Sequence, residues 1–374
     1  MATISLPIHE SEIFPAPPVA TDCVQTGVFG FHTQPELTPR LRDKHGRAIT
    51  DLRLSVTDRC NFRCVYCRTG NGTGAAGETL GELSLSDYSH MLRLFVSLGV
   101  EKIRFTGGEP LLRRGLVDLV RETSHLRSAF APENKLDLAI TTNGHLLAPM
   151  ARDLKAAGMT RVTVSMDACN PEAFARITRV PNSFERVRDG IRAAQDAGLG
   201  PVKVNCVLMR GFNDGEIEAF AEFSRSEDVI VRFIEFMPLG EDRSWAPETV
   251  VRMDEIIERL NRVRPLVALP ANQLSETARR FTFDDGRGEI GIIAPVSHPF
   301  CGHCSRVRLT SDGKIRTCLF SQIDHDLAGP MRRGAPDADL LRLIQRVIDR
   351  KEARHHIGEP GFLSPSRSMV QIGG

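Results

Sequence analysis

Short runs of apolar and β-branched residues alternate with longer amphipathic stretches from residue 50 to about residue 240. Such alternation is typical of βα units, in which each strand is followed by a helix. Strands are predicted near 51–57, 102–106, 136–142, 161–167, 201–209 and 229–236. Helices are predicted near 86–98, 115–127, 147–157, 184–197 and 214–225, with Ser86 placed to cap the first. The fold class is therefore α/β, and six units of this kind curve most naturally into an incomplete (β/α)6 TIM-like barrel.

The pattern changes beyond residue 250, where shorter β-rich segments follow one another. The predicted elements are a helix near 253–263, strands at 280–283 and 289–293, and a helix near 337–350. Turns are predicted at Asp284-Asp285-Gly286 and at Ser311-Asp312-Gly313. We therefore expect a flexible N-terminal arm at 1–47, the barrel at 48–245, and a smaller β-rich C-terminal domain at 246–374. The last of these is expected to cover the open side of the barrel.

Length and charge limit what the protein binds. The chain has 374 residues, 41 % of them apolar, which is enough for a full barrel or two domains with buried cores. Its 48 Lys and Arg residues balance 47 Asp and Glu residues, so no overall charge attracts nucleic acid or a membrane. No apolar run approaches the length of a transmembrane helix. The first 39 residues contain acids but no Lys or Arg, which is not a targeting composition, so a cytoplasmic protein is predicted.

Nine cysteines are present, and six of them form two triplets with the spacing of metal ligands. In a chain without a secretion signal, such groups indicate metal sites rather than disulfides. The first triplet is Cys60, Cys64 and Cys67, a C-xxx-C-xx-C run directly after the first predicted strand. Three thiolates on one loop suit an iron–sulfur cluster with one open iron. A structural zinc site would need a fourth ligand, which no nearby Cys or His supplies.

The second triplet is Cys301, Cys304 and Cys318, and the residues alone leave two interpretations open. An iron–sulfur cluster fits the spacing, and so does a tetrahedral zinc site that a histidine completes. The candidate histidines are His298, His303 and His325.

Basic residues lie on the predicted strands and just past Cys304, and two pairs of them are at alternate positions, which puts each pair on one face of a strand. They are Arg53, Lys102, Arg104, Lys203, Arg306 and Arg308. Charges on otherwise apolar inner strands are rarely mere surface residues. They can hold an anionic ligand through charge-assisted hydrogen bonds.

The first triplet, with Tyr66 before its last cysteine, resembles the signature of the radical S-adenosylmethionine (SAM) superfamily. Gly107-Gly108-Glu109-Pro110 after the second strand and Ser165-Met166-Asp167 after the fourth strengthen the resemblance. It implies a 4Fe-4S cluster on the first triplet, whose open iron binds SAM and cleaves it to a 5′-deoxyadenosyl radical. The SAM contacts that it implies are Tyr66, Gly108, Glu109, Ser165 and Met237.

With the second triplet included, the pattern resembles one branch of this superfamily, the GTP 3′,8-cyclases of molybdenum cofactor biosynthesis. The resemblance covers residues 48–374 and implies a second 4Fe-4S cluster on the second triplet, facing the substrate purine. The GTP contacts it implies are Arg53, Arg104, Thr141, Lys203, Arg306, Val307 and Arg308. The tail resembles the double-glycine tail of that family, so the implied catalytic residues are Cys60, Cys64, Cys67, Arg306, Arg308, Gly373 and Gly374.

The resemblance implies a lyase that removes the ribose 3′ hydrogen of GTP and joins that carbon to purine C8, giving 3′,8-cyclo-7,8-dihydro-GTP. The partners implied are GTP, a cyclic pyranopterin monophosphate synthase, an electron donor such as flavodoxin or ferredoxin, and a second copy in a homodimer. The chain departs from the family at Arg68-Thr69 and in a Gly-rich insert up to Gly77.

Two other functions remain open. A radical SAM peptide maturase also carries a C-terminal cluster, usually with more cysteines than follow residue 237 here. A non-enzymatic iron–sulfur carrier or regulator would leave the Gly-Gly-Glu-Pro segment and Ser165 without a purpose.

Overall fold

The computed structural model describes residues 39–67, 82–239 and 245–373. Most of the predicted N-terminal arm, the Gly-rich insert after Cys67 and the terminal Gly374 lie outside these ranges. Leu41 and Ile49, near the end of the predicted arm, are fully buried in the main core. The predicted limits of the three regions stay a prediction.

The strands in the described residues are β1 (Asp51–Ser55), β2 (Lys102–Thr106), β3 (Asp137–Thr142), β4 (Arg161–Ser165), β5 (Lys203–Leu208), β6 (Ile230–Glu235), β7 (Leu266–Leu269), β8 (Arg279–Phe283), β9 (Glu289–Ile293), β10 (Arg306–Leu309), β11 (Lys314–Arg316) and β12 (His325–Asp326). They form one sheet in the order β12-β11-β10-β1-β2-β3-β4-β5-β6-β9-β8-β7. β1 to β6 are parallel neighbours, and the C-terminal strands extend both edges, with β10 parallel to β1 and β9 parallel to β6. In the described chain the sheet does not close, which confirms the incomplete barrel.

The helices are α1 (Leu85–Ser97), α2 (Leu116–Ser124), α3 (Leu147–Ala156), α4 (Pro171–Thr178), α5 (Phe184–Asp196), α6 (Ile217–Ser226), α7 (Met253–Val263), α8 (Ala328–Arg332), α9 (Asp337–Ile348) and α10 (Met369–Ile372). A helix follows each of the first five strands, as predicted. The prediction missed α4, which begins after Asn170, whose side chain accepts hydrogen bonds from two N–H groups of the first turn. The capping prediction for α1 was wrong, because Ser84 rather than Ser86 caps it. None of the helices in the described ranges is long and apolar enough to cross a membrane.

β1 shows how the barrel strands divide their side chains. Leu52 and Leu54 are fully buried in the main core, whereas Arg53 between them lines an internal cavity. β2 repeats this pattern around Arg104. Because successive side chains of a strand point to opposite faces, the alternation places apolar residues in the core and basic residues inside the barrel.

Candidate active site

Both cysteine triplets open into one cavity of about 270 Å³. The cysteines that line it are Cys60, Cys64, Cys67, Cys301, Cys304 and Cys318. Cys60 follows the carboxyl end of β1. Cys304 directly precedes the start of β10, which pairs in parallel with β1 from Asp51 onward, so Cys304 is near the amino end of β1. The triplets therefore lie at opposite ends of a strand that spans roughly 13 Å. The cavity connects the two sites through the barrel.

The loop that carries the first triplet is held by α4. Backbone N–H groups of Arg63 and Val65 donate to carbonyl oxygens in the last turn of α4 at 3.1 and 3.0 Å. The Phe62 ring packs edge-to-face on Phe174 of α4, with ring centroids 6.0 Å apart. The helix that the sequence did not predict thus fixes the cysteine loop.

Tyr66 ties the same loop to the end of β4. Its hydroxyl donates to Asp167 Oδ2 at 2.7 Å, and the Val207 N–H donates to Asp167 Oδ1 at 2.8 Å. Burial raises the pKa of Asp167 to about 6, although both hydrogen bonds oppose the shift. Asp167 lines the cavity but was not among the predicted contacts, although it ends the predicted fourth strand.

Gly107 and Gly108 let the end of β2 pass directly against the segment that leads into the cysteine loop. A Cβ atom on Gly107 would collide with the carbonyl oxygen of Thr57, and one on Gly108 with that of Arg59. Gly107 also has a φ of 143°, in the region that favours glycine. The Gly108 N–H donates to the Thr57 carbonyl at 2.9 Å, and Gly108 lines the cavity. Close approach of two backbones therefore requires these glycines.

Glu109 is fully buried and does not line the cavity. Its carboxylate accepts from Thr142 Oγ1 and the Asn143 N–H, each at 2.7 Å, and from the Leu111 N–H at 3.0 Å. Burial raises its pKa to about 7 in spite of these bonds. The carboxylate fixes the backbone of Asn143. The side-chain Nδ2 of Asn143 in turn donates to Asn61 Oδ1 in the cysteine loop at 2.8 Å.

The other predicted SAM contacts all reach the cavity: Tyr66, Gly108, Ser165 and Met237 line it. Of the predicted GTP contacts, Thr141 lines the cavity too. Val307 does not, because its side chain is fully buried on the other face of β10.

Arginines from three neighbouring strands lie in register across the cavity wall. Arg53 of β1 pairs with Arg104 of β2 on one side and with Arg308 of β10 on the other, and all three line the cavity. Burial and the charges of Arg306, Arg104 and Arg232 hold the pKa of Arg53 well below its usual value. Burial, together with other arginines, lowers the pKa of Arg104 to about 9. Cations buried so close together favour an anionic ligand.

A second cavity of about 260 Å³ shares part of this wall. Its cationic residues are Arg53, Lys102, Arg104, Arg161, Lys203, Arg232 and Arg306, and its acidic residues are Asp51, Asp137 and Glu276. Lys203 lines this cavity rather than the first. Burial and the charge of Arg232 lower the pKa of Lys203 to about 8. The two cavities therefore share a cationic wall.

Arg232 is a site residue that sequence reasoning missed. Its Nε donates to Asn205 Oδ1 at 3.0 Å, and its second guanidinium nitrogen donates to Thr163 Oγ1 at 3.3 Å. Burial lowers its pKa to about 10, and it lines both cavities. Arg232 lies on β6 between the buried Val231 and Phe233. This is the same alternation of apolar and basic residues that identified Arg104, so the sequence pattern could have predicted Arg232 as well.

The second triplet lies among cations and aromatic rings. The Arg306 guanidinium lies over the Phe300 ring, 5.1 Å from its centroid. Burial would raise the pKa of Cys304, but the charges of Arg306 and Lys351 lower it to about 6. A thiol that ionises so readily is a good metal ligand.

The histidines considered for a zinc site do not line the cavity; these are His298, His303 and His325. His355 lines it instead. Across the described ranges, no group of three or more His, Cys, Asp or Glu side chains surrounds a single ion position.

The C-terminal tail meets the barrel beside the arginine row. Arg308 donates to the carbonyl oxygen of Ile372 at 3.2 Å and to that of Gly373. A Cβ atom on Gly373 would collide with Ser55 Oγ at the end of β1. Val370 lines the cavity, so the tail forms part of its wall.

Comparison with known proteins agrees with this geometry. Residues 54–224 match the family model described as the radical SAM superfamily, and residues 229–357 match the model described as Molybdenum Cofactor Synthesis C. The chain is 43 % identical over 326 residues to GTP 3′,8-cyclase of Acidothermus cellulolyticus, covering 85 % of this chain and 88 % of that protein. It is 41 % identical over 334 residues to GTP 3′,8-cyclase of Moorella thermoacetica, covering 89 % of this chain and 100 % of that protein. Streptococcus suis SuiB bound to S-adenosylmethionine shares the fold, with a TM-score of 0.54 and 13 % identity over 76 % of this chain and 64 % of that chain.

Proposed function

The chain belongs to the GTP 3′,8-cyclase family within the radical SAM superfamily, and from this premise we propose that it converts GTP to 3′,8-cyclo-7,8-dihydro-GTP, the first step of molybdenum cofactor biosynthesis. The observation that carries the proposal is the single cavity, which joins both cysteine triplets to a row of arginines in register. A radical reaction on a nucleoside triphosphate needs a cluster site and a polyanion site in one enclosed space.

Radical SAM enzymes hold a 4Fe-4S cluster and SAM, and the residues at the carboxyl end of the barrel fit both. The first triplet opens into the cavity, and its loop offers three thiols and no fourth Cys or His, which leaves one iron for SAM. When bound, the cluster and SAM supply the radical that takes the 3′ hydrogen of GTP. The chain itself binds and orients SAM with Gly108, Ser165 and Met237 and keeps water out.

Two buried carboxyl groups suit this end of the cavity to a cation. Asp167 lines the cavity and holds Tyr66, while Glu109 holds the end of β3 from behind. Burial raises the pKa of both groups, so a cationic ligand in the cavity beside Asp167 would favour their ionised forms. The ammonium and sulfonium charges of SAM meet that requirement.

We assign a second 4Fe-4S cluster to Cys301, Cys304 and Cys318. Support comes from their place in the same cavity and from the cations that favour the Cys304 thiolate. Three thiols again leave one iron free for an atom of the substrate.

GTP would lie between the two triplets, with its phosphates on the cationic wall. Arg53, Arg104 and Arg306 line both cavities, and Lys203 lies in the second. A triphosphate would offset the burial and the mutual repulsion that lower the pKa of Arg53, Arg104 and Lys203. Arg308 also holds the tail through the carbonyl of Gly373, so it positions that segment beside the substrate.

Further partners follow from the same proposal. The product would pass to a cyclic pyranopterin monophosphate synthase, and a flavodoxin or ferredoxin would supply electrons to the first cluster. The protein is proposed to act in the cytoplasm and to form a homodimer.

Anaerobic reconstitution tests the proposal. Protein loaded with iron and sulfide is expected to form 5′-deoxyadenosine from SAM when GTP is added, together with the cyclised nucleotide. SAM cleavage that needs a peptide instead of GTP would identify a peptide maturase, and bound clusters without SAM cleavage would identify an electron carrier. Equal SAM cleavage with and without nucleotide would overturn the substrate assignment.

A further inference from the structure

Lys351 is a buried cation that the proposed reaction does not use. It follows α9, has only 3 % of its surface exposed, and lines the cavity. Its ammonium donates to the carbonyl oxygen of Arg306 at 3.0 Å and to that of Thr317. Arg306 is two residues after Cys304, and Thr317 directly precedes Cys318. The ammonium therefore joins the two chain segments that carry these cysteines.

No carboxylate in the described part of the chain lies within 4.0 Å of the Lys351 ammonium, although a buried ammonium ordinarily needs an anionic partner. The neighbouring Glu352 carboxylate accepts from Thr317 Oγ1 at 2.7 Å instead. The Arg306 and Arg308 side chains, which line the same cavity, are cations as well. Two carbonyl oxygens use two of the three N–H donors and do not balance the charge.

The second triplet would supply the anion that this arrangement lacks. The Lys351 ammonium holds the carbonyl oxygens of Arg306 and Thr317 and lines the same cavity as Cys304 and Cys318, so it lies beside these two cysteines. Three thiolates on a 4Fe-4S cluster give a net negative group, whereas three neutral thiols would leave the ammonium without a counter-charge.

We propose that Lys351 is a positioning residue for the second cluster, whose ammonium fixes the segments bearing Cys304 and Cys318 and supplies the buried positive charge that raises the reduction potential of that cluster. The inference rests on the second cluster of the proposed function.

The consequence for electron transfer has a definite sign. Reduction adds one electron to the cluster, and no bond to the protein forms or breaks. A fixed positive charge nearby stabilises the more negative, reduced form, so the cluster accepts the electron more readily. Removing the charge must move the reduction potential to more negative values.

The test uses the full chain with Cys60, Cys64 and Cys67 replaced by alanine, so that only the second cluster contributes to the spectrum. After anaerobic reconstitution, iron is counted, and the cluster is titrated with dithionite while its reduced form is followed by electron paramagnetic resonance. Lys351→Met removes the charge, and Lys351→Arg keeps it. Arg350→Met removes a charge from the adjacent exposed residue and serves as the matched control.

We expect Lys351→Met to move the reduction potential of the cluster to more negative values. Lys351→Arg should leave it near the parent value because the charge is kept, and Arg350→Met should do so because solvent screens an exposed charge. A second outcome would also support the inference. If Lys351→Met loses the cluster, Lys351→Arg keeps it, and both variants have the melting temperature of the parent protein, the cluster needs the positive charge at this position. An unchanged potential in Lys351→Met, or cluster loss in both variants, overturns the inference. If the parent protein binds no iron, the second cluster itself is refuted. This outcome is distinct from a failure of the Lys351 inference, in which the cluster is present.

Discussion

The two ends of the cavity each carry three cysteines, but in opposite electrostatic surroundings. At the carboxyl ends of the strands, the first triplet lies near the buried carboxyl groups of Glu109 and Asp167, with pKa values raised to about 7 and about 6. At the amino end of β10, the second triplet lies among Arg306, Arg308 and Lys351. One end suits a cation and the other an anion.

This difference teaches that the cysteines alone do not decide what each site binds. With the two clusters proposed here, three thiolates would leave one open iron at either end, so selectivity would have to come from the charges around the iron. A cationic SAM and an anionic GTP would sort themselves to opposite ends without further contacts. The following predictions test that division of labour, beginning with the largest expected effect.

Removing one cysteine from each triplet separates the two ends most sharply. Cys64→Ala is expected to lose the iron of the first cluster and all 5′-deoxyadenosine formation. Cys318→Ala is expected to lose the iron of the second cluster and the cyclised product while keeping the first cluster. Iron analysis of anaerobically reconstituted protein measures both, and Cys169→Ala, outside the triplets, should retain both clusters. An iron content unchanged by Cys318→Ala would remove the second site.

Arg306→Ala tests the cationic end. Loss of a charged hydrogen bond should weaken GTP binding by ~1.5–3 kcal/mol, about 10- to 150-fold in Kd. Calorimetric titration of the reconstituted protein with GTP and, separately, with SAM measures the effect. Arg262→Ala, an exposed arginine of α7, is the control and should bind GTP as before. An equal loss of SAM and GTP affinity would contradict the idea that the end of the cavity with Arg306 binds GTP and the other end binds SAM.

Much of this site could be predicted from the sequence because its signals are local. The period-two pattern placed Arg53 and Arg104 inside the barrel, and the strand-end motifs placed Gly108 and Ser165 at the cavity. The same pattern would also have found Arg232. The arginines follow from strand geometry alone, whereas Gly108 and Ser165 were predicted from the resemblance to the radical SAM motifs.

The remainder depends on contacts between distant segments. The second triplet lies at the far end of the barrel because β10 pairs with β1 from more than 250 residues away, starting at Asp51↔Arg306. Tyr66 and Asp167, 101 residues apart, meet only when the cysteine loop folds against β4. No local spacing encodes such meetings, since tertiary packing decides them.

Tyr66→Phe tests the acidic end through stability. The change removes the hydroxyl that donates to the buried Asp167 carboxyl, so the free energy of unfolding should fall by ~1–3 kcal/mol. Tyr88→Phe is the matched control, because that hydroxyl is also buried but donates only to carbonyls, of Ser55 at 3.1 Å and Ser311 at 3.3 Å. Its loss should cost ~0.5–1.5 kcal/mol. Urea unfolding of the cluster-free proteins compares them, and equal losses would mean that Asp167 does not depend on Tyr66.

The smallest effect is expected in the pH dependence of stability, which tests whether the acidic end contains a protonated carboxyl. Burial raises the pKa of Glu109 from its ordinary 4.5 to about 7, so its protonated form is favoured in the folded protein. Its stabilising contribution is complete below about pH 4.5 and is lost as the pH rises through 7. The free energy of unfolding should therefore fall by about 1 kcal/mol between pH 6 and pH 7 on account of this group. Glu109→Gln should remove that fall, leaving the part due to Asp167, whereas the exposed Glu133→Gln should keep it. An identical slope in Glu109→Gln would show that the carboxyl is ionised throughout, and the acidic end would then hold a fixed negative charge before any cation binds.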